Sequence, residues 1–150
     1  MNLKDLLSYS LGKLKKLGID KAYGTINDGE KKELNIESGK ISLLRTTFQS
    51  SLNLEGIKDN KQSSISINKV DKPSIDKAIE TLVENVNSSQ ADEANDISEK
   101  QPSEVFNQGN MEADLNLMYD KLNNFNTYVQ QNHKKIIIEA AILDHISSKT

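Results

Sequence analysis

The hydrophobic period of the chain changes near residue 18, and this change constrains the fold more than any other feature. Upstream, leucines recur three and four residues apart from Leu3 to Leu17, which is the apolar stripe of a helix. Gly18 follows at the position where a glycine commonly ends a helix. Over residues 19–68, apolar and polar residues alternate as in a strand with one buried face. The sequence therefore predicts a helix over about residues 2–17, followed by a sheet.

Turn signals divide the alternating region. They are Asn27-Asp28-Gly29, Ser38-Gly39 and Asp59-Asn60, which are residue types that tolerate tight turns. With three turns the region is expected to form a four-stranded antiparallel meander that is apolar on one face and polar on the other. Because a sheet of this kind must bury its apolar face, the flanking helices are expected to cover it.

Two further helices and a final strand are expected downstream. Asp71-Lys72-Pro73 indicates a helix start, since Asp can cap a helix and Pro is tolerated in the first turn. A third helix is predicted over about residues 111–131. Its expected apolar seam consists of Met111, Leu115, Met118, Leu122, Phe125 and Val129. Residues 135–143 are apolar on both faces, which predicts a strand buried on both sides.

These elements predict an α+β fold: an antiparallel β-meander of about four strands packed by helices, plus a later helix and a final strand. The expected domain organisation has three parts. An N-terminal α+β domain covers residues 1–88, and a flexible acidic and polar linker with few large apolar residues covers 89–109. The helix and strand over 110–150 are interpreted as the start of, or the connection to, a following domain.

The composition of the chain argues against several classes of function. A net charge of -3 and a pI near 5.4 argue against nonspecific nucleic-acid binding, which needs a basic surface. No run of about 18 apolar residues is present, so no membrane association is expected. The first residues lack the apolar run of a signal peptide. Without cysteine the chain can form neither disulfides nor thiolate sites, and a cytoplasmic location is expected.

No catalytic, cofactor-binding or metal-binding residue is predicted in this chain. The two histidines, His133 and His145, lack a second histidine at metal-ligand spacing. The glycines fit no phosphate-binding loop, and no G-x-S-x-G motif is present. Several carboxylates are interpreted as solvated charges: Glu30, Glu33, Glu37, Asp92 and Glu93. Glu139 lies in an apolar segment, where a buried carboxylate would need a partner or a raised pKa, but an exposed or interface position is expected.

Short stretches of the sequence resemble a known family. Residues 14–22 read LKKLGIDKA and resemble the opening "AKKLGADEAEV" of the TldD/PmbA family, also called modulators of DNA gyrase. Residues 35–41 read NIESGKI and are similar to the family's hairpin "VRNGKIE". The helix after Asp71 and residues 91–94 fall where the family has a helix and a "DP"-type loop. The resemblance spans nearly the whole chain.

The resemblance implies the N-terminal domain of a longer metalloprotease subunit. The family's zinc motif, H-E-x-x-x-H, lies in the later half of the TldD-type subunit and has no counterpart here. Zinc would therefore belong to the catalytic subunit of the parent family, with no cofactor in this chain. The implied partners are the remainder of the parent protein, a paired family subunit in a dimer, and an unfolded peptide substrate. The domain would help assembly and line the peptide cleft.

Two other functions remain open from the residues alone. The chain could be a stand-alone protein-interaction module that recognises a partner through its sheet edge or its helical seam. It could also be a small hydrolase that uses scattered carboxylates such as Glu139, although the sequence supplies neither a nucleophile nor a metal site for it.

Overall fold

The computed structural model describes residues 2–99 and 101–150. The elements follow in the order α1 (Leu3–Lys16), β1 (Lys21–Glu37), β2 (Lys40–Lys58), β3 (Lys61–Ile67), α2 (Lys72–Ser88), α3 (Leu115–Asn132) and β4 (Ala140–Lys149). The strands form one antiparallel sheet in the order β3-β2-β1-β4. The α+β class and the four-stranded antiparallel sheet are thus confirmed.

The chain forms two compact units, each with its own core. Unit 1 comprises the described residues of 1–28, 49–106 and 149–150, and unit 2 comprises residues 29–48 and 107–148. Strands β1 and β2 therefore each contribute one part to unit 1 and the other part to unit 2.

Side-chain caps begin both helices of unit 1, and a glycine follows the first of them. The Asn2 side chain accepts a hydrogen bond from the Asp5 N–H (2.8 Å) at the start of α1, and Gly18 follows the helix with φ +83°. The Asp71 side chain accepts from the Ser74 N–H (2.8 Å) at the start of α2. The helix predicted over residues 2–17 and the start predicted at Asp71 are confirmed. The core comprises Leu14, Ile19, Ile26, Leu52, Leu54, Ile75, Ile79, Leu82 and Val86.

Hydrogen bonds and an ion pair connect helices α1 and α2. The Tyr9 hydroxyl and the Lys13 ammonium both donate to one carboxylate oxygen of Asp76, at 2.5 and 2.8 Å. The Lys72 ammonium lies 4.9 Å from the centroid of the Tyr9 ring. These donors, Lys13 first, hold the pKa of Asp76 below its usual value, so the carboxylate stays ionised.

Unit 2 packs α3 against strands β1, β2 and β4. Its core is formed by Leu34 and Ile36 of β1 with Met118 and Leu122 of α3. The Ser38-Gly39 turn predicted from the sequence is present, and both residues have positive φ (48° and 74°), which suits a two-residue hairpin. Helix α3 starts later than predicted, because the Asp114 side chain caps it by accepting from the Leu117 N–H (2.9 Å).

The turn predicted at Asn27-Asp28-Gly29 is wrong, because β1 runs without interruption through these residues. Their side chains bond to other parts of unit 1 instead: the Ser50 hydroxyl donates to Asp28 (2.7 Å) and the Thr150 hydroxyl donates to Asn27 (2.6 Å). Residues 19–68 accordingly form three strands, and β4 completes the sheet.

The prediction that the last strand is buried on both sides is also wrong. Strand β4 begins at Ala140 and lies at an edge of the sheet, with alternating half-buried and exposed residues. Ala141 and Leu143 pack against the unit 2 core, whereas Ile142 is 60% exposed. Apolar residues on both faces of a strand are buried only when both faces are covered, and in the described residues of unit 2 one face is not.

The seam predicted on α3 is partly wrong. Met118, Leu122 and Val129 are buried as expected, but Phe125 is 51% exposed and Asn126 is buried in its place. The Asn126 amide donates to the carbonyl oxygen of Gly39 (2.8 Å), which lies in the turn between β1 and β2. A buried carbonyl oxygen without a hydrogen-bond donor is costly, so a polar amide at position 126 suits the buried face of α3 better than an apolar side chain would.

Candidate interaction site

One face of the unit 2 sheet carries both charged and apolar side chains. Successive residues of a strand point to opposite faces, and Ala141 and Leu143 pack into the core. Ile142, Asp144 and Ile146 therefore project from the other face. We call this the outer face of unit 2. It comprises these three residues of β4 and the charged residues that form ion pairs beside them: Lys31, Glu33 and Arg45.

Four charged side chains of the outer face form a connected cluster. The Lys31 ammonium lies 2.8 Å from Glu33 Oε2 and 3.0 Å from Asp144 Oδ2, so it joins β1 to β4. The Arg45 guanidinium donates to Glu33 Oε1 at 2.7 Å. Two cations and two carboxylates leave the cluster without net charge. The cluster links β1 to β4 through Lys31 and to β2 through Arg45.

Glu33 is the best-shielded member, since only 3% of its surface is exposed. The hydrogen bond from Lys31, followed by bonding to Asn35 and the charge of Arg45, lowers its pKa despite the opposing effect of burial. The same contacts raise the pKa of Lys31. The expectation that Glu33 is a solvated charge is therefore wrong. Its two cationic partners lie on either side of it, and their side chains cover it.

Exposed aliphatic groups flank the cluster. Ile142 and Ile146 are 60% and 68% exposed on either side of Asp144 along β4. Strand β4 is also an edge strand, so one row of its backbone groups has no strand partner among the described residues. A face with exposed isoleucines beside a self-neutralised charged cluster is suited to binding a protein surface.

The remaining candidate residues are dispersed in unit 2. The His133 ring lies edge-on to Tyr128 (5.8 Å between centroids) at the end of α3, and His145 Nε2 is 2.9 Å from the Asn110 carbonyl oxygen. Glu139 is exposed, and its backbone carbonyl accepts from the Ser38 N–H. Glu30 forms an ion pair with Lys32 (3.0 Å).

The other carboxylates that the sequence singled out are exposed: Glu37, Asp92 and Glu93. Across residues 2–99 and 101–150, no three acidic or histidine side chains converge closely enough to hold a metal ion. No helix in the same ranges is both long and apolar enough to cross a membrane.

Sequence reasoning missed Arg45 and Asn126 as organising residues. Arg45 is the only arginine of the chain and lies in an alternating strand, and arginine is the cation best suited to a shielded carboxylate. A single arginine in an alternating strand is therefore a sequence signal from which the role of Arg45 could have been predicted. No local signal marks Asn126, because its partner Gly39 is far away in the chain.

No known protein family matches the sequence by its profile, and no curated protein matches it. Solved structures do resemble the fold. TldE from Thermococcus kodakarensis overlays with a TM-score of 0.70 at 16% identity, covering 98% of this chain and 34% of that one. A putative modulator of DNA gyrase from Bacteroides thetaiotaomicron gives 0.70 at 15% identity, covering 97% and 34%. Another from Thermotoga maritima gives 0.57 at 11% identity, covering 99% and 35%.

These likenesses show a shared fold. The resemblance to the TldD/PmbA family that residues 14–22 and 35–41 indicate is thus confirmed at the level of the fold. The chain spans about a third of the length of each of these proteins.

Proposed function

We propose that this chain is the non-catalytic N-terminal domain of a TldD/PmbA-like metalloprotease subunit, where it helps assembly and lines the peptide cleft. In this proposal the partners are the remainder of the parent protein, a paired family subunit in a dimer, and an unfolded peptide. Zinc would be held by the catalytic subunit, since the described residues of this chain offer no set of donors for it.

The observation that carries the proposal is the coverage of the fold comparison. Between 97% and 99% of this chain overlays on 34–35% of each longer protein. A chain that corresponds so completely to one part of a larger fold is expected to act as that part. The outer face of unit 2 supports the proposal, because its exposed isoleucines offer a surface that another part of the same protein could cover.

The assembly role can be tested on the chain itself. If the outer face is normally covered, the isolated chain should bind a hydrophobic dye such as ANS and self-associate in sedimentation velocity experiments. The double variant Ile142→Thr/Ile146→Thr keeps β-branched residues in β4 and should reduce both signals. Ser148→Thr, also at an exposed position of β4, is the matched control and should change neither. A wild-type chain that stays monomeric and binds no dye would contradict the assembly role.

The family assignment has a separate test in the natural gene. A reading frame that continues for roughly 300 codons past Thr150, as expected for a family subunit of which this chain is about a third, supports the proposal. H-E-x-x-x-H in that frame would identify a catalytic subunit, and its absence a non-catalytic one. A stop codon directly after Thr150 would overturn the proposal and favour the stand-alone interaction module.

A further inference from the structure

A groove in unit 1 lies between the edge strand β3 and helix α2. It has a volume of about 660 Å³. One wall consists of residues 65–69 at the end of β3 and just beyond it. The other wall is a single face of α2, since Ser74, Lys77, Ala78 and Thr81 follow the i, i+3, i+4, i+7 spacing. The groove therefore runs along a sheet edge, with a helix on its far side.

The outer edge of β3 is bordered by residues 90–95 at its start, beside residues 62–64, and the groove lies along residues 65–67. On its inner side β3 pairs with β2 along its whole length, from Lys61 opposite Lys58 to Ile67 opposite Leu52. On its outer side, Lys61 forms one bridge with Ala91, and no other residue of β3 has a strand partner there within the described part of the chain. The backbone N–H and C=O groups that point outward beyond Ser64 can accept an added strand.

The side chains that line the groove favour a particular kind of bound segment. Half-buried Ile65 and Ile67 and buried Ala78 provide apolar surface, which suits aliphatic side chains at alternate positions of an extended segment. Lys69 lies just beyond the end of β3 and Lys77 lies in the second turn of α2. Both line the groove, and no acidic residue lines it.

The two lysines leave the groove basic on a chain whose net charge is -3. Lys69 pairs with Asp71 (3.0 Å), an exposed contact, whereas Lys77 forms no ion pair with any described residue. A segment bound here would therefore gain from carrying acidic residues at the end that reaches these lysines.

We propose that this groove binds an extended segment of a partner protein, aliphatic at alternate positions and acidic at one end, by adding it as a strand to β3. The inference does not depend on the function proposed above, because it rests on unit 1 residues that take no part in the outer face of unit 2. Main-chain hydrogen bonds to β3 hold the segment, and the groove and its lysines select its side chains.

The proposal can be tested with synthetic peptides and fluorescence polarisation. The probe is a fluorescein-labelled peptide of alternating valine and threonine with glutamates at both ends, and its counterpart carries lysines at both ends. Two further probes are N-methylated, one at the valine amides and one at the threonine amides. Because alternate amides of a strand face the same edge, strand addition predicts that one N-methylated probe loses binding and the other keeps it.

Charge selection is tested with variants of α2 and α1. Lys77 is exposed, so Lys77→Glu is expected to fold normally and to weaken binding of the acidic probe about tenfold. Lys16→Glu makes the same charge change on α1 outside the groove and should leave the affinity within about twofold. Amide NMR signals of residues 65–69 should shift when the acidic probe binds.

Several results would overturn the proposal. They are equal binding of both N-methylated probes, equal binding of the acidic and basic probes, equal effects of Lys77→Glu and Lys16→Glu, or no binding of any probe. A doubling of the mass of the free chain that Lys77→Glu abolishes would also overturn it, since a second copy would then occupy the groove.

Discussion

Two glycines of unit 1 should respond in opposite ways to the same substitution. Gly12 lies in the middle of α1, and a Cβ added there would meet no atom within 4 Å. Gly12→Ala should therefore stabilise the fold by about 1 kcal/mol through helix propensity alone. Gly24 lies in β1, where an added Cβ would be 2.9 Å from Leu54 Cδ2 and from Leu7 Cδ1.

The cost at Gly24 can be estimated from its neighbours. The two leucine methyls can rotate away, but the Asn53 carbonyl oxygen, 3.2 Å from the added Cβ, belongs to the backbone of the neighbouring strand. Overpacking of this kind costs about 1–3 kcal/mol, and the conformational gain of replacing a strand glycine returns about 0.5–1 kcal/mol. Gly24→Ala should therefore destabilise the fold by up to about 2.5 kcal/mol.

The assay is urea unfolding followed by circular dichroism. With a denaturant dependence of about 2 kcal/mol/M, Gly12→Ala should raise the midpoint by about 0.5 M and Gly24→Ala should lower it by up to about 1.25 M. The wild-type chain and both single variants are compared under one buffer condition. If Gly24→Ala raised the midpoint as much as Gly12→Ala does, the close contacts around Gly24 would not exist in solution and the packing described for β1 would be refuted.

Two further predictions concern a buried amide and a helix cap. Asn126→Ala removes the donor to the Gly39 carbonyl and should lower the free energy of urea unfolding by about 1–3 kcal/mol. The control Asn124→Ala, at an exposed position of α3, should change it by less than about 0.5 kcal/mol. Equal losses in the two variants would contradict the role of Asn126. The bonds from Ser74, then the contact with Lys69, lower the pKa of Asp71 to about 2. A folded-state pKa below the unfolded value means that the stabilisation is complete above about pH 5 and is lost as the pH falls towards 2. Asn can still cap α2 but does not titrate, so the stability advantage of wild type over Asp71→Asn should shrink between pH 6 and pH 2.5; a constant difference would refute the cap assignment.

Local signals predicted the parts of the fold that depend on neighbouring residues. The cap Asp71, the helix-ending Gly18 and the Ser38-Gly39 turn act within a few residues, and each lies where the sequence indicates. Their effects are set by backbone geometry, which the residue types themselves favour.

Several of the wrong predictions arise from partners that are distant in sequence. Asn27 and Asp28 have turn propensity, but hydroxyl donors on Thr150 and Ser50 satisfy their side chains within a continuous strand. Glu33 was expected to be solvated, but Arg45 from across the hairpin pairs with it together with Lys31. Periodicity reports which residues share a face, but it does not report what lies opposite that face.

The alternation of the chain between its two units has a consequence for synthesis on the ribosome. The hairpin segment of unit 2, residues 29–48, emerges early, yet the helix that buries its Leu34 and Ile36 ends only at Asn132. At about 5–20 residues per second, these side chains wait on the order of 5–15 s for their cover. Unit 1 has all of its helices by Ser88 and can condense during that interval. The nascent chain therefore carries an apolar hairpin that a ribosome-associated chaperone could recognise before α3 arrives.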